Sequence, residues 1–393
     1  MKIINDIKNN IDEFLCSLYL WMFSFTRILI ANYVEYSFLI LLFSSITIVF
    51  LSLIFSKKTK VMNITVFKIF FIVLFGFITS YFLTPNSIIF QRAYEFIIYG
   101  VISIYLFSKI NNLNKFFEYF AYLSVLSFFM HFLDPLNNYK IFRDYMSFGF
   151  NCMLLVFCGC SIGTKLFNKK IFVLIKYLSL IELALFCNKG AFVTSIFLEL
   201  LFLLFETEKP IKKIFKVILV MLSVIMIYVF FDDLLLFIIN RFEKLNISSY
   251  SLTSIYKVLF GDSNGLAGRD LIWENALSFF HERPIFGNGI GAFDTKYGVY
   301  THNIFLDILC SHGIIGLIIF IIFILKYFIK IIKSNGVEKD AYLFFIAIGV
   351  VPLIFSIYTF KWQFFWVFIY LVLKKDYIKK IRLARQEGKN EEI

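Results

Sequence analysis

Between Gly268 and Gly316 the chain reads GRDLIWENALSFFHERPIFGNGIGAFDTKYGVYTHNIFLDILCSHGIIG, and three of its four histidines, His281, His302 and His312, fall there. Histidine titrates near neutrality, which suits it to general-base work. His302 stands apart because it follows the turn-rich DTKYGVYT run and immediately precedes an apolar stretch, a position at a membrane boundary. His281 reads as a solvated helix residue and His312 as an interfacial one at the entrance to the next span. Cations supply the second signal: Arg92, Lys189 and Arg269 each stand at the end of an apolar run or at the start of the loop helix. Taken singly, each would serve as an interfacial anchor whose long side chain snorkels to water. The arginine fork suits phosphate oxygens and lysine offers a point charge. Converging on one site, the three would hold a pyrophosphate at the membrane surface.

Other reactive residue types read as structural. Gly287, Gly289 and Gly291 lack the preceding strand and following helix of a phosphate-cradling loop. They read instead as a tight turn that folds the backbone on itself. Glu182 and Glu199 lie within apolar runs; a proton relay is one reading, and pairing with Lys176 or a polar neighbour is the plainer one. The six cysteines, at 16, 152, 158, 160, 187 and 310, show no zinc-ligand spacing and read as small buried hydrophobes. No metal site is expected.

The elements that must position these residues are membrane helices. The chain of 393 residues is 60% hydrophobic and only 17% charged, against roughly 25% charged in soluble domains. Its apolar runs are continuous, which favours helices over the alternating strands of a barrel. A span needs roughly 20 apolar residues. On that measure spans fall at about 14–31, 36–55, 64–83, 92–108, 116–133, 147–165, 171–187, 190–206, 214–232, 313–332, 341–358 and 362–374. The expectation is an all-α integral membrane protein of about twelve transmembrane helices. The first reads as a retained span, not a removed signal.

The net charge of +12 does not point to nucleic acid, because the lysines sit in short connectors where the positive-inside rule wants them. Connectors expected in the cytoplasm hold Lys57, Lys58, Lys60, Lys109, Lys115, Lys165, Lys169, Lys170, Lys209, Lys212, Lys213, Lys216, Lys326, Lys330, Lys333 and Lys339. The opposite side has few: Arg27, Arg92, Lys140, Arg143, Lys189 and Lys361. Both termini are therefore expected in the cytoplasm. The domain plan is helices 1–9 over 1–232, one large extracytoplasmic helical loop over 233–312, helices 10–12 over 313–374, and a cytoplasmic tail over 375–393. In that loop Leu271, Ile272, Ala276, Leu277 and Phe280 recur with a helical period until Pro284 stops it. The loop reads as an ordered cap over the bundle.

At these residues the chain resembles the O-antigen ligase and polymerase superfamily of bacterial polysaccharide assembly. The likeness runs through Gly268-Arg269, Trp273, Ala276, Pro284, the turn of Gly287 and Gly289, His302-Asn303, Leu306, Gly313 and Gly316. A shorter match is Asn188-Lys189-Gly190-Ala191, where the family usually shows Ser-Arg-Gly, so lysine keeps the charge and loses the fork. The resemblance implies a metal-independent, cofactor-free glycosyltransferase in the bacterial inner membrane, with its active site facing the periplasm. It would act on undecaprenyl-pyrophosphate-linked oligosaccharide. His302 would be the base, with Asn303 beside it as a substrate contact; Lys189 and Arg269 would hold the pyrophosphate, with Arg92 and Arg143 as auxiliaries. Membrane lipid is an implied partner and a chain-length regulator protein a candidate one; nucleic acid is not. The leading expectation is a polymerase joining repeat units of O-antigen or capsular polysaccharide. The alternatives are a ligase transferring glycan to lipid A-core and, from another class, a transporter of polysaccharide or lipid-linked sugar. The transporter reading wants paired repeats and mid-membrane polar residues, whereas here the polar residues gather on one loop.

Overall fold

The computed structural model describes residues 2–56, 63–205, 231–244, 249 and 268–374. The span expected at 214–232 falls almost wholly outside the described residues, as do the cations of 57–60 and 209–216 and the tail beyond 374.

Only helices occur among the described residues. They are α1 (Lys2–Asn9), α2 (Ile11–Asn32), α3 (Ser37–Phe55), α4 (Ile64–Leu83), α5 (Ile88–Ser108), α6 (Leu113–His131), α7 (Tyr145–Phe167), α8 (Lys170–Phe186) and α9 (Lys189–Leu204). After these come α10 (Phe231–Lys244), α11 (Arg269–Glu282), α12 (Ala292–Tyr297), α13 (Ile304–Lys333), α14 (Gly336–Phe355) and α15 (Gln363–Leu373). Asparagine side chains cap four of them. The side-chain oxygens of Asn63, Asn112, Asn188 and Asn303 accept backbone N–H groups that a helix start leaves unpaired.

Seven described helices are long and apolar enough to cross a membrane: α2, the 34–55 stretch containing α3, α4, α5, the 113–137 stretch containing α6, α7 and α13. Burial separates centre from perimeter. The apolar window of α7 is 83% buried, whereas those of α3, α4 and α13 are 17–22% buried and turn most of their surface outward. Aromatic rings fill the centre: Phe116, Phe117 and Phe120 pack against Phe344 and Phe345 of α14, and Phe96 meets Trp366 of α15.

Polar contacts divide the bundle into two ends. At one end Glu13 accepts from the amides of Asn111 and Asn112, Lys109 donates to Ser52, Lys115 pairs with Asp6, and Lys165 pairs with Asp340. This is the end where the lysine-rich connectors were expected. The other end collects the 83–92, 131–147 and 186–190 junctions, α11, α12 and the 355–363 connector.

Of the boundaries that differ from their sequence expectation, one differs most. The span expected at 313–332 begins at Ile304, and its helix is broken within, at Gly313 (φ +64°). The preceding loop repairs the break: Ile314 N donates to Pro284 O (2.9 Å), Asn288 N to Cys310 O (2.8 Å) and Gly289 N to Ser311 O (3.0 Å). Gly287 and Gly313 meet back to back, since a Cβ on Gly287 would lie 2.4 Å from His312 N and one on Gly313 2.3 Å from Ile285 O. The glycine turn thus lets two backbones touch where a membrane helix is interrupted, and protein groups satisfy the freed amides.

Candidate active site

His302 sits one residue before the N-cap of α13, in the left-handed region at φ +54°. A side chain there costs roughly 1–2 kcal/mol, so the surroundings must impose it. Asn303 Oδ1 caps α13 through Phe305 N (2.9 Å) and Leu306 N (3.4 Å), and Thr301 Oγ1 donates to Asn303 O (3.0 Å). Trp273 Nε1, from α11, donates to Thr301 O (3.1 Å). Asn303 thus serves as the helix cap through its side-chain oxygen. Non-glycine residues held at positive φ cluster at functional sites, and His302 is such a residue.

The imidazole has two neighbours. Its Nδ1 lies 3.3 Å from Ser356 Oγ, and its ring stacks on Tyr300 with centroids 3.9 Å apart. Tyr300 in turn donates its hydroxyl to Ser356 O (2.6 Å). Burial, and then the positive charge of Arg269, hold the His302 pKa down at about 4. The ring is therefore neutral at physiological pH and able to accept a proton.

Arg269 opens α11 after Gly268 (φ +76°) and reaches Phe355 O through Nη1 (2.6 Å) and Ser356 Oγ through Nη2 (3.4 Å). One serine hydroxyl thus touches both the histidine and the arginine. Lys189 is exposed at the first turn of α9. Its neighbour Gly190 packs against Phe355 and Phe150, and Asn188 Nδ2 donates to Met146 O (3.4 Å).

Below Ser356 lies a polar cavity of roughly 290 Å³, whose walls include Arg27, Arg92, Lys361, Tyr99, Tyr300 and Ser356. Two π-helical turns, Phe96–Val101 in α5 and Gly149–Met153 in α7, supply Tyr99, Phe150 and Asn151 to its walls. Such turns recur at functional sites because they rotate side chains out of the regular helical order. The cations here are not equivalent. Arg92 is 7% exposed and committed to Glu95 Oε2 (2.8 Å) and Asp294 Oδ2 (2.5 Å), with its guanidinium over the Tyr358 ring. Lys361 pairs with Glu95 at 3.3 Å. Arg27 has no ion pair among the described residues. Arg143, which donates to Ala31 O (3.3 Å), is exposed near Arg27 and outside the cavity wall. The pair of Arg92 with Asp294 ties α5 to α12.

A second, larger cavity of roughly 510 Å³ runs between α4, α13 and α15. Its walls are mostly apolar, with Asp307 and Thr359 among the few polar residues. The 356–362 connector separates the two cavities, giving Ser356, Tyr358 and Lys361 to the polar one and Thr359 and Phe360 to the apolar one.

Ala276 and Phe279 of α11, Ala292 and Phe293 of α12, and Cys310 of α13 form a small core of their own. Sequence reading missed Ser356, Tyr300 and Asp307. It found Arg27 and Lys361 only as positive charges on the unexpected side, which was the signal available. His281 is exposed on α11 as expected, His312 borders the apolar cavity, and Lys176 pairs with Glu199 (3.4 Å).

No curated protein matches the chain. Arg27, Arg92 and Ser356 lie outside residues 177–321, while Lys189, Arg269, His302 and Asp307 lie within them. That segment, residues 177–321, matches the family model described as O-antigen ligase, which is consistent with the resemblance the residues suggested, to the O-antigen polymerase and ligase superfamily.

Proposed function

We propose that the chain is a polysaccharide polymerase that transfers a glycan from undecaprenyl pyrophosphate to a sugar hydroxyl of another lipid-linked repeat unit. The observation that carries the reading is the meeting of His302 and Arg269 on Ser356, at the edge of a cavity walled by Arg27, Arg92 and Lys361. A base and a set of cations are what this transfer needs. Pyrophosphate is already a good leaving group, so the donor requires charge stabilisation more than an acid. The acceptor hydroxyl is a weak nucleophile and requires a base.

With Nδ1 protonated and donating to Ser356 Oγ, His302 Nε2 keeps the free lone pair. Nε2 takes the proton of the acceptor hydroxyl as its oxygen bonds to the anomeric carbon. The bond from that carbon to the pyrophosphate oxygen breaks, and the electron pair leaves with the lipid pyrophosphate. Arg269, Lys189 and Arg27 then face the developing charge, with Arg92 and Arg143 as auxiliaries. The stereochemical course is a single inversion. On this reading the site end of the bundle faces the periplasm, and the lipid chain lies between helices. A chain-length regulator is a further candidate partner.

A second reading is favoured by the family description itself: a ligase transferring finished glycan to lipid A-core. Surface polysaccharide resolved on a gel separates the two. Cells lacking a polymerase carry core capped by single repeat units, and expression of this chain restores the ladder. Cells lacking a ligase carry no capped core and accumulate lipid-linked polymer. Normal polysaccharide in cells lacking the chain would sink both readings.

A further inference from the structure

Asp307 stands five residues after His302, in the first turn of α13, and borders the apolar cavity. It forms no ion pair among the described residues. The one described hydrogen bond of its side chain is from Thr359 Oγ1, at 3.4 Å. A carboxyl group in a membrane helix is costly and is retained where it does something. Bare packing does not account for it, because the space in front of it is open.

Its placement repeats that of His302. The 356–362 connector presents Ser356 to His302 and, three residues later, Thr359 to Asp307. Two polar groups on one helix start are thus held by two hydroxyls on one connector, each beside a different cavity. The walls around Asp307 include the rings of Phe286, Phe320, Phe360, Phe365 and Trp366. A ligand matched to this place has hydrogen-bond donors at one edge and apolar faces elsewhere. A pyranose ring is such a ligand, with hydroxyls for a carboxylate and C–H faces for aromatic rings.

We propose that Asp307, positioned by Thr359, binds a hydroxyl of the acceptor sugar and so fixes which acceptor hydroxyl reaches His302. The residue is a specificity determinant, distinct from the pyrophosphate-binding cations on the other side of the connector. The proposal rests on the polymerase reading above, since it needs a sugar acceptor at His302.

The test uses the purified full-length chain in lipid nanodiscs. Lipid-linked repeat units from cells lacking the chain are the saturating donor, and the same oligosaccharide released from its lipid is the varied acceptor. Asp307→Asn is expected to raise the acceptor KM about three- to tenfold while kcat stays within about threefold, because a hydrogen-bonding oxygen of the carboxyl group is lost. Thr359→Val is expected to raise the same KM by a smaller factor, and it serves as the readout should Asp307→Asn not fold. New linkages in the Asp307→Asn product, read by NMR, would support the assignment further. An unchanged acceptor KM with unchanged linkage in both variants overturns it, as does a fall in kcat alone. If His302→Ala remains fully active in this assay, the polymerase mechanism has failed. If His302→Ala is inactive and the Asp307 and Thr359 variants behave as wild type, only the present inference has failed.

Discussion

Ser356 Oγ lies 3.3 Å from His302 Nδ1 and accepts a hydrogen bond from Arg269 at 3.4 Å, so one hydroxyl ties the candidate base to a cation. The two residues come from α13 and α11, and the serine comes from the connector after α14. Ser356→Ala should therefore lower kcat/KM by about three- to tenfold, the worth of a neutral hydrogen bond of about 0.5–1.5 kcal/mol. Steady-state kinetics with lipid-linked repeat units would measure it, and an unchanged kcat/KM would remove Ser356 from the account.

The pH profile follows from the same geometry. His302 is held at about 4 by burial and by Arg269, so it is already neutral well below pH 6.5. The expected kcat/KM is flat through pH 6.5 and falls only as the pH nears that depressed value. Arg269→Gln removes a positive charge that disfavours the imidazolium, so the acid limb should move up in pH as the rate falls. An acid limb at 6.5 in the wild-type protein, unmoved by Arg269→Gln, would contradict the assignment.

Arg92 and Asp294 bear on stability more than on turnover. Both are 7% exposed, and their ion pair joins α5 to the cap. Asp294→Ala removes one of the two carboxylates that hold buried Arg92 and leaves Glu95 as its partner, so the cost should fall below the roughly 3–5 kcal/mol of a fully stranded buried charge. Thermal unfolding in detergent should show a clear drop in Tm, partly recovered by the double variant Arg92→Met with Asp294→Met. Equal melting of wild type and Asp294→Ala would show that the pair contributes nothing.

The broken helix gives a steric prediction. Gly313 and Gly298 both have positive φ, +64° and +74°, but a Cβ on Gly313 would lie 2.3 Å from Ile285 O and one on Gly298 would meet nothing within 4 Å. Gly298→Ala should then cost only the conformational strain, about 1–2 kcal/mol. Gly313→Ala should sharply reduce the yield of folded protein on size-exclusion chromatography. Similar yields for the two variants would mean that the close approach is not required.

Much of this was legible in the chain itself, for identifiable reasons. Helix positions follow from runs of apolar residues, and the expected spans at 36–55 and 64–83 differ from α3 and α4 by no more than one residue. The break in α13 was hidden because the polar Ser311-His312 step read as the end of the loop and Gly313 as the start of the span, while the partners that satisfy the break lie farther back in that loop. His302 and Arg269 could be found because each carries a local signal, a histidine before an apolar helix and an arginine after a glycine. The pair of Arg92 with Asp294 could not be read, since the two are 202 residues apart and no local pattern links them. Ser356 and Thr359 carry no signal at all in sequence; only the folded connector brings them to α13.

The central claim, that His302 is the base, is tested most directly by the polymerisation rate of purified protein in nanodiscs supplied with lipid-linked repeat units. His302→Ala, folded as judged by an unchanged elution profile, should lose about 10²–10⁴ in kcat, the range typical of a general base. A folded His302→Ala protein that polymerises at the wild-type rate would contradict the account.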